Sequence, residues 1–198
     1  MHETRERVLA AIADEPVSGP ELASRLDISR AAVWKHVEAL REAGFGIASD
    51  DAGYTLTNVP EFGGSAVQYG LDAPFEIEYH NAISSTNARA RDLADEGATD
   101  VVVLADEQTG GRGRLDRTWH SPSGGIWLSV LFRPDVPMAA TPVYTLAAAV
   151  AVARAAREAG IEAVIKWPND VLVRVEGEER KLVGILTEME GEADRVSW

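Results

Sequence analysis

Residues 101–119 read Val-Val-Val-Leu-Ala-Asp-Glu-Gln-Thr-Gly-Gly-Arg-Gly-Arg-Leu-Asp-Arg-Thr-Trp. The apolar run 101–105 has the composition of a strand that is buried on both faces. The glycine- and arginine-rich segment follows the carboxyl end of that strand, which is the edge where α/β sheets tend to bind ligands. We therefore predict a sheet-containing domain with a ligand site at this loop.

This loop carries residues that suit phosphate binding. Three glycines let the backbone come close to a bound group, and Arg112, Arg114 and Arg117 supply forked, permanently charged donors for phosphate oxygens. The loop lacks the Gly-Lys-Ser/Thr sequence of a Walker loop, so it is not an ordinary P-loop. The residues alone leave open a second interpretation, a flexible Arg-Gly segment that touches nucleic acid.

Strands and helices alternate on both sides of the loop. We predict further strands at 75–80, 126–132, 164–167, 171–175, 181–189 and 194–198, and helices at 88–95 and 141–159. Ser85-Thr86-Asn87 stands where the first helix begins, and a polar turn at 176–180 precedes strand 181–189. The last strand, which contains Val196 and Trp198, has no evident ladder partner, so we expect a truncated chain or a missing partner segment.

Two lysine motifs stand at strand ends. Lys166-Trp167-Pro168-Asn169-Asp170 ends one strand with a cation, an aromatic ring and two polar residues, although Pro-Asn-Asp also makes an ordinary strand-end turn. Arg180-Lys181-Leu182-Val183-Gly184-Ile185-Leu186 opens another strand with a lysine of the kind that is usually solvated. Taken alone, each motif leaves the structural and the functional interpretation open.

Residues 1–57 follow a different pattern. The spacing of apolar residues predicts three helices, with Ser18 and Ser29 as N-caps of the second and third, and Ile47–Leu56 predicts a β-hairpin. Three helices with a tight turn between the last two, followed by a hairpin, make the layout of a winged helix-turn-helix. The stretch 58–64 contains Pro and Gly and has the chemistry of a linker, so we place the domain boundary there.

Composition and charge exclude several classes of protein. The 198-residue chain has a net charge of −13, which excludes a globally basic nucleic-acid binder but not a local basic patch. It has no cysteine, which excludes disulfides, thiolate metal sites and cysteine nucleophiles. No secretory signal is evident, and the longest apolar run, Leu146–Ala153, is far shorter than the roughly 20 residues of a membrane span. We expect a soluble, cytoplasmic protein with no membrane partner, and its scattered histidines predict no metal site.

The glycine-arginine loop and the two lysine motifs occur in this order behind a winged helix. In this combination the chain resembles bacterial and archaeal biotin–protein ligases of the bifunctional type, which also repress the biotin operon. The resemblance implies an α+β fold: a winged helix-turn-helix DNA-binding domain at 1–60, then a mixed β-sheet catalytic domain of the biotin/lipoate ligase (class II synthetase-like) type at 61–198. The sequence departs from the family where Asp116 replaces a common glycine. The family also continues past Trp198 with a glycine-rich strand segment and a small β-barrel domain, so we expect the catalytic domain to be incomplete at its C-terminal end.

The same resemblance implies an activity. Biotin and ATP, with Mg²⁺, would give biotinyl-5′-adenylate and pyrophosphate, and a lysine of a biotin carboxyl-carrier domain would then attack the acyl carbon. Operator DNA and a second copy of the chain, as a homodimer, are the other implied partners. The alternatives are a biotin-sensing transcription regulator that transfers nothing, an inactive ligase fragment, and a lipoate-type acyl ligase, which the winged helix disfavours.

The resemblance further assigns roles to individual residues. Biotin contacts are implied for Ser85, Thr86, Asn87, Gln108, Arg112, Gly113, Arg114 and Lys181, and ATP or phosphate contacts for Arg112, Arg114, Arg117, Lys166 and Asp170. Lys181, Arg112 and Arg114 form the implied catalytic set, with Lys181 on the biotin carboxyl oxygen. DNA contacts are predicted for Ser29, Arg30, Lys35 and His36. Residues 1–60 contain six basic and ten acidic residues, which is unusual for a DNA-binding domain. The alternative to DNA binding is therefore a relic domain or one that contacts another protein.

Overall fold

The computed structural model describes residues 3–113, 117–192 and 195–198. Its α-helices are α1 (Glu3–Ala11), α2 (Gly19–Leu26), α3 (Arg30–Glu42), α4 (Gly64–Gly70), α5 (Thr86–Asp95) and α6 (Pro142–Glu158). Its strands are β1 (Gly46–Asp50), β2 (Gly53–Asn58), β3 (Glu76–Ile83), β4 (Val101–Gln108), β5 (Trp127–Leu131), β6 (Ala163–Lys166), β7 (Asp170–Val175), β8 (Glu178–Gly184), β9 (Gly191–Glu192) and β10 (Arg195–Val196). The catalytic and binding roles implied for Arg114 concern a residue outside the described ranges.

The first unit consists of α1, α2, α3 and the antiparallel hairpin β1–β2. The side-chain oxygens of Ser18 and Ser29 accept the backbone N–H groups of Glu21 and Ala32, which confirms both predicted N-caps. Apolar residues from all three helices form one buried cluster: Val8, Leu9, Ile12, Leu22, Leu26, Val33, Val37 and Leu40, joined by Val17, Phe45 and Ile47. The predicted winged helix-turn-helix layout is therefore present.

Helix α4 connects this unit to the sheet that follows. The ring of Tyr69 meets that of Phe45 edge-on, with the ring centroids 5.9 Å apart. On the other side, Gln68 Oε1 accepts the N–H of Ile77 at 3.2 Å, which ties α4 to β3. Since α4 contacts both neighbours, the boundary between residues 60 and 61 stays a prediction.

The central sheet has the order β3–β4–β5, with β3 parallel to β4 and β4 antiparallel to β5. It is the mixed sheet that the fold prediction requires. Val103, Leu104 and Ala105 of β4 are almost fully buried, as the apolar run predicted. Helix α5 packs Ala90, Leu93 and Ala94 against this sheet, so the N-terminus of α5 and the carboxyl end of β4 lie at one edge.

A second sheet, β6–β7–β8, is antiparallel and packs against α6 through Ala149, Ala153, Ala163 and Val171. The prediction of a turn at 176–180 and a strand at 181–189 is wrong in its bounds, because β8 runs from Glu178 to Gly184. Glu176 and Gly177 both have positive φ, at 52° and 86°, which closes a two-residue hairpin. Residues 178–180 can therefore already pair with β7.

The predicted lack of a partner for the last strand is also wrong. β10 pairs with β9, and the backbone N–H of buried Val196 donates to the carbonyl of Val136 at 3.0 Å. Trp198 packs against the cluster under α5, and its indole N–H donates to the Glu190 carboxylate at 3.1 Å. Val196 and Trp198, the two residues on which the prediction depended, therefore both have partners within the described part of the chain.

Helix α6 exposes the apolar side chains of Val143, Leu146 and Val150. Together with a short 3-10 helix (Met138–Ala140), it gives a 21-residue segment, Met138–Glu158, that is long and apolar enough to cross a membrane by length and composition. The sequence prediction considered only the shorter run 146–153. One such helix is weak support for a membrane span, because core helices of soluble proteins pass the same test.

Candidate functional site at the edge of the mixed sheet

The N-terminus of α5 presents Ser85, Thr86 and Asn87 at the end of β3. Ser85 is the N-cap, and its Oγ accepts the N–H of Ala88 at 3.3 Å. The cap uses Ser85 Oγ as an acceptor and leaves its hydroxyl proton for another group. Thr86 is 3% exposed, so its side chain faces the protein rather than the solvent.

Gln108 is the last residue of β4, and its amide holds this helix end to the loop. Its Oε1 accepts two bonds from Thr86, from the backbone N–H at 2.8 Å and from Oγ1 at 3.1 Å. Its Nε2 donates to Oγ of Ser121 at 3.2 Å. Four predicted biotin contacts, Ser85, Thr86, Asn87 and Gln108, are thereby collected at one sheet edge.

The two described sides of the glycine-arginine loop, residues 111–113 and 117–119, pair with each other through their backbones. Trp119 N–H donates to the Gly111 carbonyl at 2.9 Å, and Gly113 N–H donates to the Arg117 carbonyl at 2.8 Å. A Cβ at Gly111 would lie 2.5 Å from the carbonyl oxygen of Trp119, so only glycine permits this approach. The backbone pairing defines where Arg112 and Arg117 leave the loop, and both are exposed.

Lys181 of β8 meets this loop through Trp119. Its Nζ lies 4.9 Å from the centre of the Trp119 ring, within cation–π range, and 2.7 Å from Oδ1 of Asp170. The Asp170 contact has the distance of an ion pair but not the angles of a hydrogen bond, and Oδ1 is buried without a hydrogen-bond donor. Lys181 is thus held in one place by a ring and a carboxylate from two other segments.

Lys166, another predicted phosphate contact, is not part of the group formed by Lys181, Trp119 and Asp170. Lys166 is exposed at the end of β6, in register with Asp170 of β7. Trp167 beside it is 76% exposed. Asn169 Nδ2 donates to the carbonyl of Ile185 at 3.2 Å, and Ile185 N–H donates back to the Asn169 carbonyl at 2.8 Å. The Lys-Trp-Pro-Asn-Asp segment is therefore anchored to the end of β8 and leaves Lys166 at the surface.

Sequence reasoning missed Ser129, Ser121 and the role of Trp119. Ser129 lies in β5 between Trp127 and Leu131 on one face, and it is 8% exposed. Its Oγ contacts both Thr86 Oγ1, at 2.8 Å, and the side-chain amide of Asn87. A serine on the buried face of an alternating strand is the signal that could have identified it, because buried hydroxyls need partners.

An ion pair fixes α5 on the central sheet next to this site. Arg89 of α5 donates to both carboxylate oxygens of Glu78 of β3, at 2.7 and 3.0 Å. This hydrogen bonding, opposed in part by burial, lowers the pKa of the Glu78 carboxyl, and His80 Nε2 lies 2.7 Å from the same carboxylate. The same pair raises the pKa of Arg89. Both groups stay charged at neutral pH.

The predicted DNA-contact residues lie on and before α3. Ser29 is its exposed N-cap, Arg30 and Lys35 are exposed, and His36 is half-buried. Trp34, which the prediction left out, is 60% exposed on the same helix. The tip of the hairpin is acidic because it carries Asp50 and Asp51, and Asp50 Oδ1 accepts the N–H groups of Ala52 and Gly53. Any contact with phosphates is therefore expected from α3 rather than from the hairpin tip.

Within residues 3–113, 117–192 and 195–198, no group of three His, Asp or Glu side chains is close enough to hold a metal ion. The strand register pairs the carboxylate of Asp170 with Lys166, one of the implied phosphate-binding residues.

Residues 79–196 match the model of the biotin/lipoate A/B protein ligase family, and residues 5–55 match that of an HTH domain. The chain is 44% identical over 191 residues to the bifunctional ligase/repressor BirA of Bacillus subtilis (strain 168), with 92% of this chain and 58% of that protein covered. It is 32% identical over 177 residues to the bifunctional ligase/repressor BirA of Escherichia coli (strain K12), with 88% and 54% covered. A solved structure of the biotin protein ligase from Aquifex aeolicus in complex with biotin and ATP is 31% identical, with 61% of this chain and 48% of that chain covered and a TM-score of 0.46. The chain thus spans somewhat more than half the length of the curated relatives it matches.

Proposed function

The chain belongs to the biotin/lipoate A/B protein ligase family, and from that premise we propose that it activates biotin with ATP and transfers it to a lysine of a biotin carboxyl-carrier domain. In the first step a carboxylate oxygen of biotin attacks the α-phosphorus of ATP, and pyrophosphate leaves. In the second step the carrier lysine attacks the acyl carbon of biotinyl-5′-adenylate, and AMP leaves. The ligase/repressor relatives support this reaction together with a DNA-binding role for residues 1–60.

The observation that carries the proposal is the fixed position of Lys181 beside the glycine-arginine loop. The first step brings two anions, a carboxylate and a phosphate, into contact, and a preorganised cation offsets their repulsion. Asp170 and Trp119 restrain the Lys181 ammonium group, so little reorganisation is needed when charge develops. Removing one such preorganised donor typically costs about 2.7–4 kcal/mol of transition-state stabilisation. We assign Lys181 to the biotin carboxyl oxygen in both steps.

The polar side chains at the N-terminus of α5 suit the ureido ring of biotin, at the opposite end of the molecule from its carboxylate. A cyclic urea has two N–H donors and one carbonyl acceptor, and amide and hydroxyl side chains match such a pattern. Ser85 retains a hydroxyl proton, and Asn87 and Gln108 bring amide groups to the same sheet edge. We propose that Ser85, Asn87 and Gln108 contact the ureido ring, while Thr86 orients Gln108 from within. Holding biotin and ATP in attack geometry lowers the activation barrier of the reaction by up to about 7–11 kcal/mol.

The phosphates of ATP meet the arginine side of the loop. Arg112 and Arg117 leave the paired loop backbone at exposed positions, and we assign them, with Arg114 and Lys166, to the phosphates of the nucleotide. Arg112, Gly113 and Arg114 are also proposed to contact biotin. Mg²⁺ commonly binds through one or two carboxylates plus substrate phosphates. Asp170 is the candidate carboxylate; since its buried Oδ1 is paired with the Lys181 ammonium at 2.7 Å, its other carboxylate oxygen would hold the ion. When bound, the ion would neutralise phosphate charge.

The N-terminal unit supports a second role in the same protein. Arg30 and Lys35 on exposed positions of α3, beside the exposed ring of Trp34, form the surface that we propose for operator DNA. Ser29 and His36 lie at its edges. A homodimer would present two such surfaces to a palindromic operator. We propose a cytoplasmic location, where carrier domain, ATP and DNA are all available.

The test is adenylate synthesis by the Lys181→Met variant, which keeps the chain length of the side chain and removes its charge. We expect biotinyl-adenylate formation, followed by mass spectrometry with biotin and ATP, to fall by roughly 10²–10³-fold. Lys35→Met, a lysine of α3, is the matched control and should keep the wild-type rate. A wild-type rate in Lys181→Met would remove the proposed role of this lysine.

A carrier domain added to the same reaction separates the two classes of function. Biotinylation of the carrier lysine by the wild-type chain supports the ligase. Tight biotinyl-adenylate binding with no transfer would instead indicate a biotin-sensing regulator, and no binding of biotin in the presence of ATP would refute the proposed function.

A further inference from the structure

The hydroxyl of Ser129 is a buried junction between the two halves of the candidate biotin site. It lies on β5, whereas Thr86 and Asn87 lie on α5 and Gln108 ends β4. Ser129 Oγ is 2.8 Å from Thr86 Oγ1, and the Asn87 atom in contact with Ser129 Oγ is Oδ1. Because Ser129 and Thr86 are both buried, water cannot replace these bonds cheaply.

The backbone determines the direction of this network. The N–H of Thr86 can only donate, so the Gln108 atom it meets at 2.8 Å is the carbonyl oxygen, and the Gln108 NH₂ group faces Ser121. The Thr86 hydroxyl, 3.1 Å from the same oxygen, then donates to it as well. With its proton used there, Thr86 Oγ1 is an acceptor for the proton of Ser129.

Ser129 therefore has no proton left for Asn87. The structure has the carbonyl oxygen of Asn87 facing Ser129, and in that orientation two acceptors meet with no hydrogen between them. If the amide NH₂ faces Ser129, every contact becomes a hydrogen bond, and amide orientation is assigned from the network on this basis. The chain of donors then runs from Asn87 Nδ2 to Ser129 Oγ, to Thr86 Oγ1 and to Gln108 Oε1.

We propose that Ser129 is a positioning residue that orients the Asn87 amide, so that the Asn87 carbonyl oxygen is the acceptor for a ureido N–H of biotin. The inference rests on the proposed function for its ligand, whereas the direction of the hydrogen-bond chain rests on the contacts of Thr86, which require the Asn87 amide to be turned over. Without the Ser129 hydroxyl, the amide of Asn87 can turn over. Its NH₂ group would then face the ureido N–H of biotin, and two donors would meet with no acceptor between them. Binding of biotin is affected, and binding of ATP is not.

The experiment compares Ser129→Ala with Ser129→Thr and with Ser123→Ala, an exposed serine outside the network. We expect Ser129→Ala to raise the KM for biotin about tenfold with little change in the KM for ATP, and Ser129→Thr to restore most of the affinity. Equal KM values for biotin in Ser129→Ala and wild type would overturn the inference. A parallel rise in both KM values would assign Ser129 a purely structural role and would overturn it as well.

A second measurement reads the amide directly. In ¹⁵N-labelled protein without ligand, the side-chain NH₂ signals of Asn87 should shift, and exchange faster with solvent, in Ser129→Ala, while those of the exposed Asn58 stay unchanged. Unchanged Asn87 signals would show that its NH₂ group does not face Ser129. A wild-type chain that binds no biotin but shows the NMR change would refute the proposed function and retain the hydrogen-bond chain. If Ser129→Ala fails to fold, Ser129→Thr must still show wild-type Asn87 signals.

Discussion

Gly111→Ala tests whether the paired backbone of the glycine-arginine loop holds the site together. The added Cβ would lie 2.5 Å from the carbonyl oxygen of Trp119 and 2.7 Å from Oγ of Ser121. An ordinary carbon–oxygen contact is about 3.3 Å, so the Trp119 backbone must move by roughly 0.8 Å. This movement breaks the Trp119–Gly111 hydrogen bond and disturbs the one between Gly113 and Arg117.

Two backbone hydrogen bonds at a net 0.5–1.5 kcal/mol each give about 1–3 kcal/mol against the closed loop. At 1.4 kcal/mol per factor of ten, the ratio of closed to open loop falls by roughly 5- to 150-fold. Because Trp119 carries the cation–π contact to Lys181, and Ser121 accepts from Gln108, both halves of the site are affected.

The assay is biotin affinity by calorimetry in the presence of ATP, with thermal unfolding measured on the same samples. We expect a larger loss in affinity than in thermal stability, because a loop can open locally without unfolding the core. Gly70→Ala is the control, since a Cβ there has no heavy atom within 4 Å and the backbone φ is not positive. Wild-type affinity in a folded Gly111→Ala protein would refute the reasoning.

Three further predictions concern stability. Glu78→Gln should lower the melting temperature at neutral pH. Since Arg89 lowers the folded pKa of Glu78, the contribution of this carboxylate is fully present above the ordinary carboxyl pKa of about 4.3. The gap between variant and wild type should shrink as the pH falls below that value and vanish below the lowered folded pKa; a gap that does not shrink on acidification would contradict the ion-pair account. Leu40→Ala, at a fully buried position, should cost about 2–5 kcal/mol of the free energy of unfolding in urea titrations, and a cost below 1 kcal/mol would be inconsistent with the packed helical core. Tyr69→Ala should remove an aromatic contact with Phe45 worth about 0.5–1.5 kcal/mol beyond its buried area, detected as earlier denaturant unfolding of the N-terminal unit; coincident transitions in variant and wild type would argue against a coupling through α4.

Much of the fold could be predicted because its signals are local. Ser18 and Ser29 cap the helices they precede, and the run 101–105 is the buried central strand. The error at 176–180 arose because polar composition marks a turn but not its length, which depends on two positive φ angles at Glu176 and Gly177. The error at the last strand arose because its partners, β9 and Val136, are paired through backbone atoms that every residue carries.

The candidate site, like the fold, was only partly predictable from the sequence. By itself the sequence determined which residue types are available: glycines and arginines after a buried strand, Ser-Thr-Asn at a helix start, and a lysine on a late strand. Only the tertiary structure decided that Trp119 and Asp170 restrain Lys181, and that Ser129, 42 residues from Asn87, completes the hydrogen-bond network around Gln108. The reason is physical: caps and strand periodicity depend on neighbours along the chain, whereas hydrogen-bond partners between elements depend on sheet register and helix placement, which fix distances to within a fraction of an ångström.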